Sequence, residues 1–204
     1  MALATLPETQ ARISYEDFLE WDGEDQHLEW VEGEVIKMSP VSNRHQDVGG
    51  FLLAALRIYV EARHLGDIRS EPYQMKTAPH LPGRAPDIFF IANTNRAHMK
   101  STYLDGPAQL VVEIISPESR ARDRGDKFFE YEAGGVPEYW LLDPIREQAE
   151  FYQLGENGIY QVVLSDSEGK YHSIMLPGLW LQIDWLWATP LPPLLSILKA
   201  WEII

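Results

Sequence analysis

The chain has 204 residues and no cysteine, with 45% hydrophobic and 24% charged residues. That composition suits a globular protein with a sizeable core, and it excludes disulfides, thiolate nucleophiles, Cys-ligated zinc and iron–sulfur clusters. The formal net charge of −14 argues against a large non-specific nucleic-acid surface, because phosphates are met by Lys and Arg.

The charge is uneven along the chain. Residues 1–34 hold ten acids against Arg12, and residues 128–204 hold eleven acids against Arg146, Lys170 and Lys199. Residues 41–127 carry twelve bases against ten acids, so a site is sought in this near-neutral middle. No basic segment leads into a long apolar run at the start, and the apolar region 176–198 is broken by Gln182, Asp184 and four prolines. The expectation is a cytoplasmic protein with no membrane-spanning helix.

In chain order, Ser14-Tyr15-Glu16-Asp17 forms a variant capping box that opens a short helix ending at Asp22-Gly23. Residues 28–36 read as two strands turning at Glu32-Gly33. Val48, Phe51, Leu52, Ala55, Leu56 and Tyr59 follow the i, i+3, i+4, i+7 spacing of an amphipathic helix. Strands are predicted around 68–75, 87–92 and 109–116, the last two continuously apolar and therefore covered on both faces. A helix over 122–133 stops at Gly134-Gly135, and further strands are predicted at 138–143, 150–154 and 160–164, with a closing helix over 191–201. Without repeats or linkers, residues 1–204 are expected to form one α/β domain.

Glu113 interrupts the apolar run Leu110-Val111-Val112-Glu113-Ile114-Ile115. An ionised carboxylate in a doubly covered strand is costly unless a cation, hydrogen bonds or a metal compensate. An ion pair or a strand end reaching water would account for it as well. Asp87 follows Pro86 at the mouth of another apolar strand, where an Asp also serves simply to cap a turn. Taken together, the two carboxylates suit a hard divalent cation such as Mg²⁺ or Mn²⁺. Lys127 lies four residues after Asp123 and four before Tyr131, so all three share one helical face. If that face turns toward Glu113, Lys127 can neutralise a phosphate or orient a water, and Tyr131 can hydrogen-bond a ligand. Glu29 and His45 are weaker candidates: Glu29 also reads as one of several solvated acids in the hairpin, and His45 as either a satisfied core histidine or an active-site edge residue. No Gly-x-Gly-x-x-Gly, P-loop, Gly-x-Ser-x-Gly or His-Glu-x-x-His motif is present, so no nucleotide cofactor is expected.

The ordered set Glu29…Glu32-Gly33-Glu34-Val35, Ser39-Pro40 with His45-Gln46, Pro86-Asp87, Val112-Glu113-Ile114-Ile115-Ser116-Pro117, Asp123…Lys127…Tyr131 and Gly135-Val136-Pro137-Glu138-Tyr139-Trp140 resembles the Uma-type restriction endonuclease family. That family falls in the PD-(D/E)XK nuclease superfamily. The resemblance implies a mixed central β-sheet flanked by helices and a Mg²⁺-dependent endonuclease acting on DNA. It makes Asp87 and Glu113 the metal ligands, Lys127 a catalytic lysine moved onto the following helix, and Glu29 the acid near the metal. The lysine usual two residues after the second acid is here Ile115. A homodimer is expected, matching the two-fold symmetry of duplex DNA. A competing reading is a catalytically inactive nuclease-fold protein serving as a dimerisation or protein-interaction module through Trp180, Trp185, Trp187 and Trp201.

Overall fold

A computed structural model describes residues 12–20, 28–37, 40–116 and 124–204. Strands β1 (Leu28–Val31) and β2 (Glu34–Lys37) precede the long helix α2 (Asn43–Ala62), itself preceded by α1 (Tyr15–Leu19). Strands β3 (Gly66–Arg69), β4 (Gln74–Lys76), β5 (Gly83–Arg84), β6 (Ile88–Ala92), β7 (Tyr103–Asp105) and β8 (Leu110–Ile114) follow. Helix α3 (Asp126–Ala133) leads into β9 (Glu138–Asp143), β10 (Gln148–Leu154), β11 (Tyr160–Val163), β12 (Lys170–His172) and β13 (Trp180–Gln182), and α4 (Leu194–Ala200) closes the chain. The result is a mixed α/β fold with mixed sheets flanked by helices.

The six-stranded sheet runs β11-β10-β9-β8-β6-β3, with β8 and β9 parallel and the other pairs antiparallel. Apolar side chains on successive residues of β6 and β8 point to opposite faces. Val112 and Ile114 join Val48, Leu52, Leu56 and Tyr59 of α2 and Ile197 and Leu198 of α4 in one core. Val111 and Ile115 join Tyr131 of α3, Met75 of β4 and Leu104 of β7 in the other. A continuously apolar strand is what two covered faces require. By the same alternation, Glu113 faces the second layer.

The second sheet, β2-β1-β5-β4-β7, lies over that layer. Its β1–β2 hairpin turns at Glu32 (φ 50°) and Gly33 (φ 91°), the two positive-φ residues of a type I′ turn. Ser14 caps α1, its Oγ accepting from Asp17 N at 3.0 Å and donating to Asp17 Oδ2 at 2.7 Å. Tyr15 of α1 rests on Gly83, where a Cβ would come within 2.3 Å of its ring, so only glycine fits. The ammonium of Lys76 lies 4.0 Å from the Trp30 ring centre and 4.7 Å from that of Tyr15, a cation–π contact that ties α1 to this sheet.

Two expectations are corrected. The strand predicted around 68–75 is two strands in different sheets, β3 beside β6 and β4 beside β5 and β7, separated at Pro72, which has no N–H to continue a ladder. Trp201, offered as an interface residue, is 4% exposed, meets Tyr59 edge to face and donates from Nε1 to Trp180 O at 2.6 Å. Its ring completes the chain's own core. Short strands β5, β7, β12 and β13 were not anticipated. The stop at Asp22-Gly23, the start of the helix predicted from 122, and Asp123, Ser39 and Pro117 lie outside the described residues.

Candidate active site

Strand β8 delivers Glu113 into the layer between the two sheets. Antiparallel β6 pairs Ile88 with Val112, and continuing that register by one residue sets Asp87 opposite Glu113. Asp87 Oδ2 accepts the backbone N–H of Ile114 at 2.6 Å, so the Asp87 carboxylate is anchored beside the second acid. Helix α3 turns Lys127 and Tyr131 inward, as their four-residue spacing dictates. Lys127 Nζ donates to Glu113 Oε2 at 3.0 Å, and Tyr131 OH donates to Glu113 Oε1 at 2.6 Å. Glu29 of β1 completes the group, its Oε1 3.1 Å from Lys127 Nζ.

Glu29, Glu113, Lys127 and Tyr131 are all buried, at 0 to 2% exposure. Asp87 is the more open acid, its side chain 15% exposed. His45 stands in the first turn of α2, behind the cap Ser42, with Nε2 3.5 Å from Asp87 Oδ1. The imidazole makes an ion pair there when it is protonated. The structure thus gathers every sequence-predicted residue around Glu113 and Asp87. Tyr131 differs from the expected ligand contact: its hydroxyl is taken up by Glu113. Burial, then the charges of Glu113 and Glu29, push that hydroxyl far above the ordinary tyrosine range, so it acts as a fixed donor.

Arg84 is the residue that sequence reasoning missed. It is 2% exposed on β5, donates from Nη1 to Glu29 Oε2 at 2.9 Å, and grips Glu130 of α3 through Nε and Nη2, both at 2.7 Å. Burial works against the guanidinium charge, but the Glu130 hydrogen bonds and the charges of Glu29 and Glu130 outweigh it and raise its pKa. The available signal was a charged residue three positions before Asp87, at the entry of a fully apolar strand.

The donor chemistry fits a hard cation. Asp87 and Glu113 stand on neighbouring strands, and carboxylate oxygen is the donor type that a hard divalent cation takes. Among the described residues no group of three or more His, Asp or Glu is placed to hold a metal unaided. Mg²⁺ does not demand one, because it binds through one or two carboxylates and takes water and substrate phosphate for the rest.

A crystal structure titled as "a putative nuclease belonging to DUF820" from Anabaena variabilis aligns with a TM-score of 0.68 at 16% identity, covering 86% of this chain and 97% of that one. The fold is therefore that of this α/β structure. The curated proteins contain no match. Residues 15–184 match the Uma2 family, described as "Putative restriction endonuclease", and the chain belongs to that family. Among the described residues no helix is long and apolar enough to cross a membrane.

Proposed function

We propose that this chain is a Mg²⁺-dependent endonuclease of the PD-(D/E)XK kind that hydrolyses DNA phosphodiester bonds, with Asp87 and Glu113 as metal ligands and Lys127 as the catalytic lysine. The single observation that carries this reading is the Lys127–Glu113 contact at 3.0 Å beside Asp87, on the next strand. It supplies from α3 the ammonium that Ile115 cannot supply from the strand.

Bound between the two acids, Mg²⁺ would supply Lewis acidity toward the scissile phosphate. Glu113 is held for that task by Tyr131 and Lys127, one on each oxygen. The Lys127 ammonium offsets negative charge developing on the phosphate as the incoming oxygen bonds and the leaving oxygen departs. Asp87, more exposed than Glu113, forms the solvent-facing side of the pair. The near-neutral segment 41–127 that bears both acids is the part of this acidic chain best suited to face DNA. A homodimer cutting both strands belongs to the same proposal.

The test is incubation of supercoiled plasmid with Mg²⁺, Mn²⁺ or EDTA, with Asp87→Asn alongside. Cleavage that requires the cation and disappears in the variant supports the reading; cleavage that persists in EDTA or in Asp87→Asn overturns it.

A further inference from the structure

Resting on that reading of the site, we propose that Arg84 and Glu29 are positioning residues that hold Lys127 on Glu113, and that Glu29 does this instead of ligating the metal. The buried groups alternate in charge along a continuous line: Glu130, Arg84, Glu29, Lys127, Glu113. Glu130 and Lys127 come from α3 and Glu113 from β8, while Arg84 and Glu29 come from β5 and β1 of the other sheet. Glu130 and Lys127 stand three residues apart on α3, so the Arg84 fork grips the turn of helix that carries the lysine.

A lysine side chain is a point charge on a flexible four-carbon stem, and one carboxylate alone does not fix it. Two carboxylates, at 3.0 and 3.1 Å, place Nζ between β8 and β1. Arg84 matters because Glu29 faces two cations, one on each oxygen. Remove the guanidinium, and Lys127 must answer more of the Glu29 charge, which draws it away from Glu113. The same geometry disqualifies Glu29 as a ligand. It is 0% exposed, and a divalent cation against it would meet the Arg84 guanidinium and the Lys127 ammonium.

The test compares Glu29→Gln, Arg84→Met and Arg84→Lys with Asp87→Asn in the full chain. Mn²⁺ affinity is measured by calorimetry, Lys127 reactivity by amine acylation and mass spectrometry, and cleavage as separate kcat and KM. Because an outer partner typically changes function by about 10- to 100-fold, Glu29→Gln and Arg84→Met should lower kcat by about that much with KM unchanged. Mn²⁺ affinity should survive in both and vanish in Asp87→Asn. Lys127, protected in the wild type, should become acylated in both variants, and Arg84→Lys should restore part of the protection and of kcat. If Arg84→Met fails to fold, Glu29→Gln and Arg84→Lys carry the test. Loss of Mn²⁺ binding in Glu29→Gln, as in Asp87→Asn, would make Glu29 a ligand and overturn the proposal. Unchanged Lys127 acylation in Glu29→Gln would overturn it as well. A wild type that neither binds Mn²⁺ nor cleaves would sink the nuclease reading, while the acylation result would still decide whether Arg84 and Glu29 position Lys127.

Discussion

Glu113 and Glu138 are buried carboxylates on neighbouring parallel strands, yet they meet opposite surroundings. Glu138 shares its face with Trp140 and Leu142, and its two oxygens accept from five neutral donors: Trp140 Nε1 at 2.7 Å, Tyr171 OH at 2.8 Å, Ser173 Oγ at 2.9 Å, and the backbone N–H groups of Ile174 and Met175 at 3.1 and 2.8 Å. A carboxylate has about four acceptor directions, so this one is saturated. It pins the loop after β12 onto the central sheet and has no capacity left for a ligand. Glu113 is met by one ammonium and one hydroxyl, with a second carboxylate anchored beside it. Burial alone therefore does not mark a functional acid. A buried ammonium partner beside a second carboxylate does.

The sharpest way to break this contrast is to neutralise each acid in turn. Asp87→Asn should lower plasmid cleavage by about 10⁴-fold, the scale on which removal of a central catalytic group acts. Glu138→Ala should instead leave five donors without their acceptor, two of them fully buried, and cost on the order of 4 kcal/mol, read as a fall of roughly 10 °C in Tm. Cleavage per folded molecule should be unchanged in that variant.

Lys127→Met sharpens the comparison within the site. It leaves Glu113 and Glu29 facing a methyl group, and it should reduce kcat by about 10²- to 10³-fold, as loss of one group stabilising transition-state charge does. Its Tm should fall as well, because breaking a buried pair strands a charge. The equivalent loss at Glu138 needs no cation to be removed.

The smallest effect concerns the tyrosines beside the two acids. Burial, then the charge of the neighbouring glutamate, raises the hydroxyl pKa of both Tyr131 and Tyr171 above the ordinary value near 10. A raised folded-state pKa means that the unfolded chain gives up the proton first as pH rises. The stability these hydroxyls contribute is therefore fully present below about pH 10 and declines above it, by about 1.4 kcal/mol per pH unit for each tyrosine. Urea midpoints across pH 9 to 11 should fall, and Tyr131→Phe and Tyr171→Phe should each remove about one such increment of slope.

Much of this was legible in the sequence because the signals are strong local ones. Ile88-Phe89-Phe90-Ile91 can sit only under two covered faces, Glu32-Gly33 supplies both positive-φ residues of a tight hairpin, and the spacing of Lys127 and Tyr131 puts them on one side of a helix. Glu113 was visible as a charge in an apolar strand. Arg84 was not, because it lies in a two-residue strand between Gly83 and Ala85-Pro86, too short for any periodicity to register. Glu130 carries no local signal on α3, and only the packing of α3 against β5 turns it inward. Glu138 begins its strand, where a charge is unremarkable, and its five donors come from residues 140 to 175, a set no local pattern reveals. The division of β3 from β4 depends on which sheet each joins, a tertiary choice that the run from Ile68 to Met75 does not encode.

The central claim is that Glu113 with Asp87, and not Glu138, forms a cation site. Calorimetric titration of Mn²⁺ into the wild type, Asp87→Asn, Glu113→Gln and Glu138→Gln tests it directly. The account predicts saturable binding in the wild type and in Glu138→Gln, and none in Asp87→Asn or Glu113→Gln. Binding that persists in both Asp87→Asn and Glu113→Gln, or that is lost in Glu138→Gln while the protein remains folded, would contradict it.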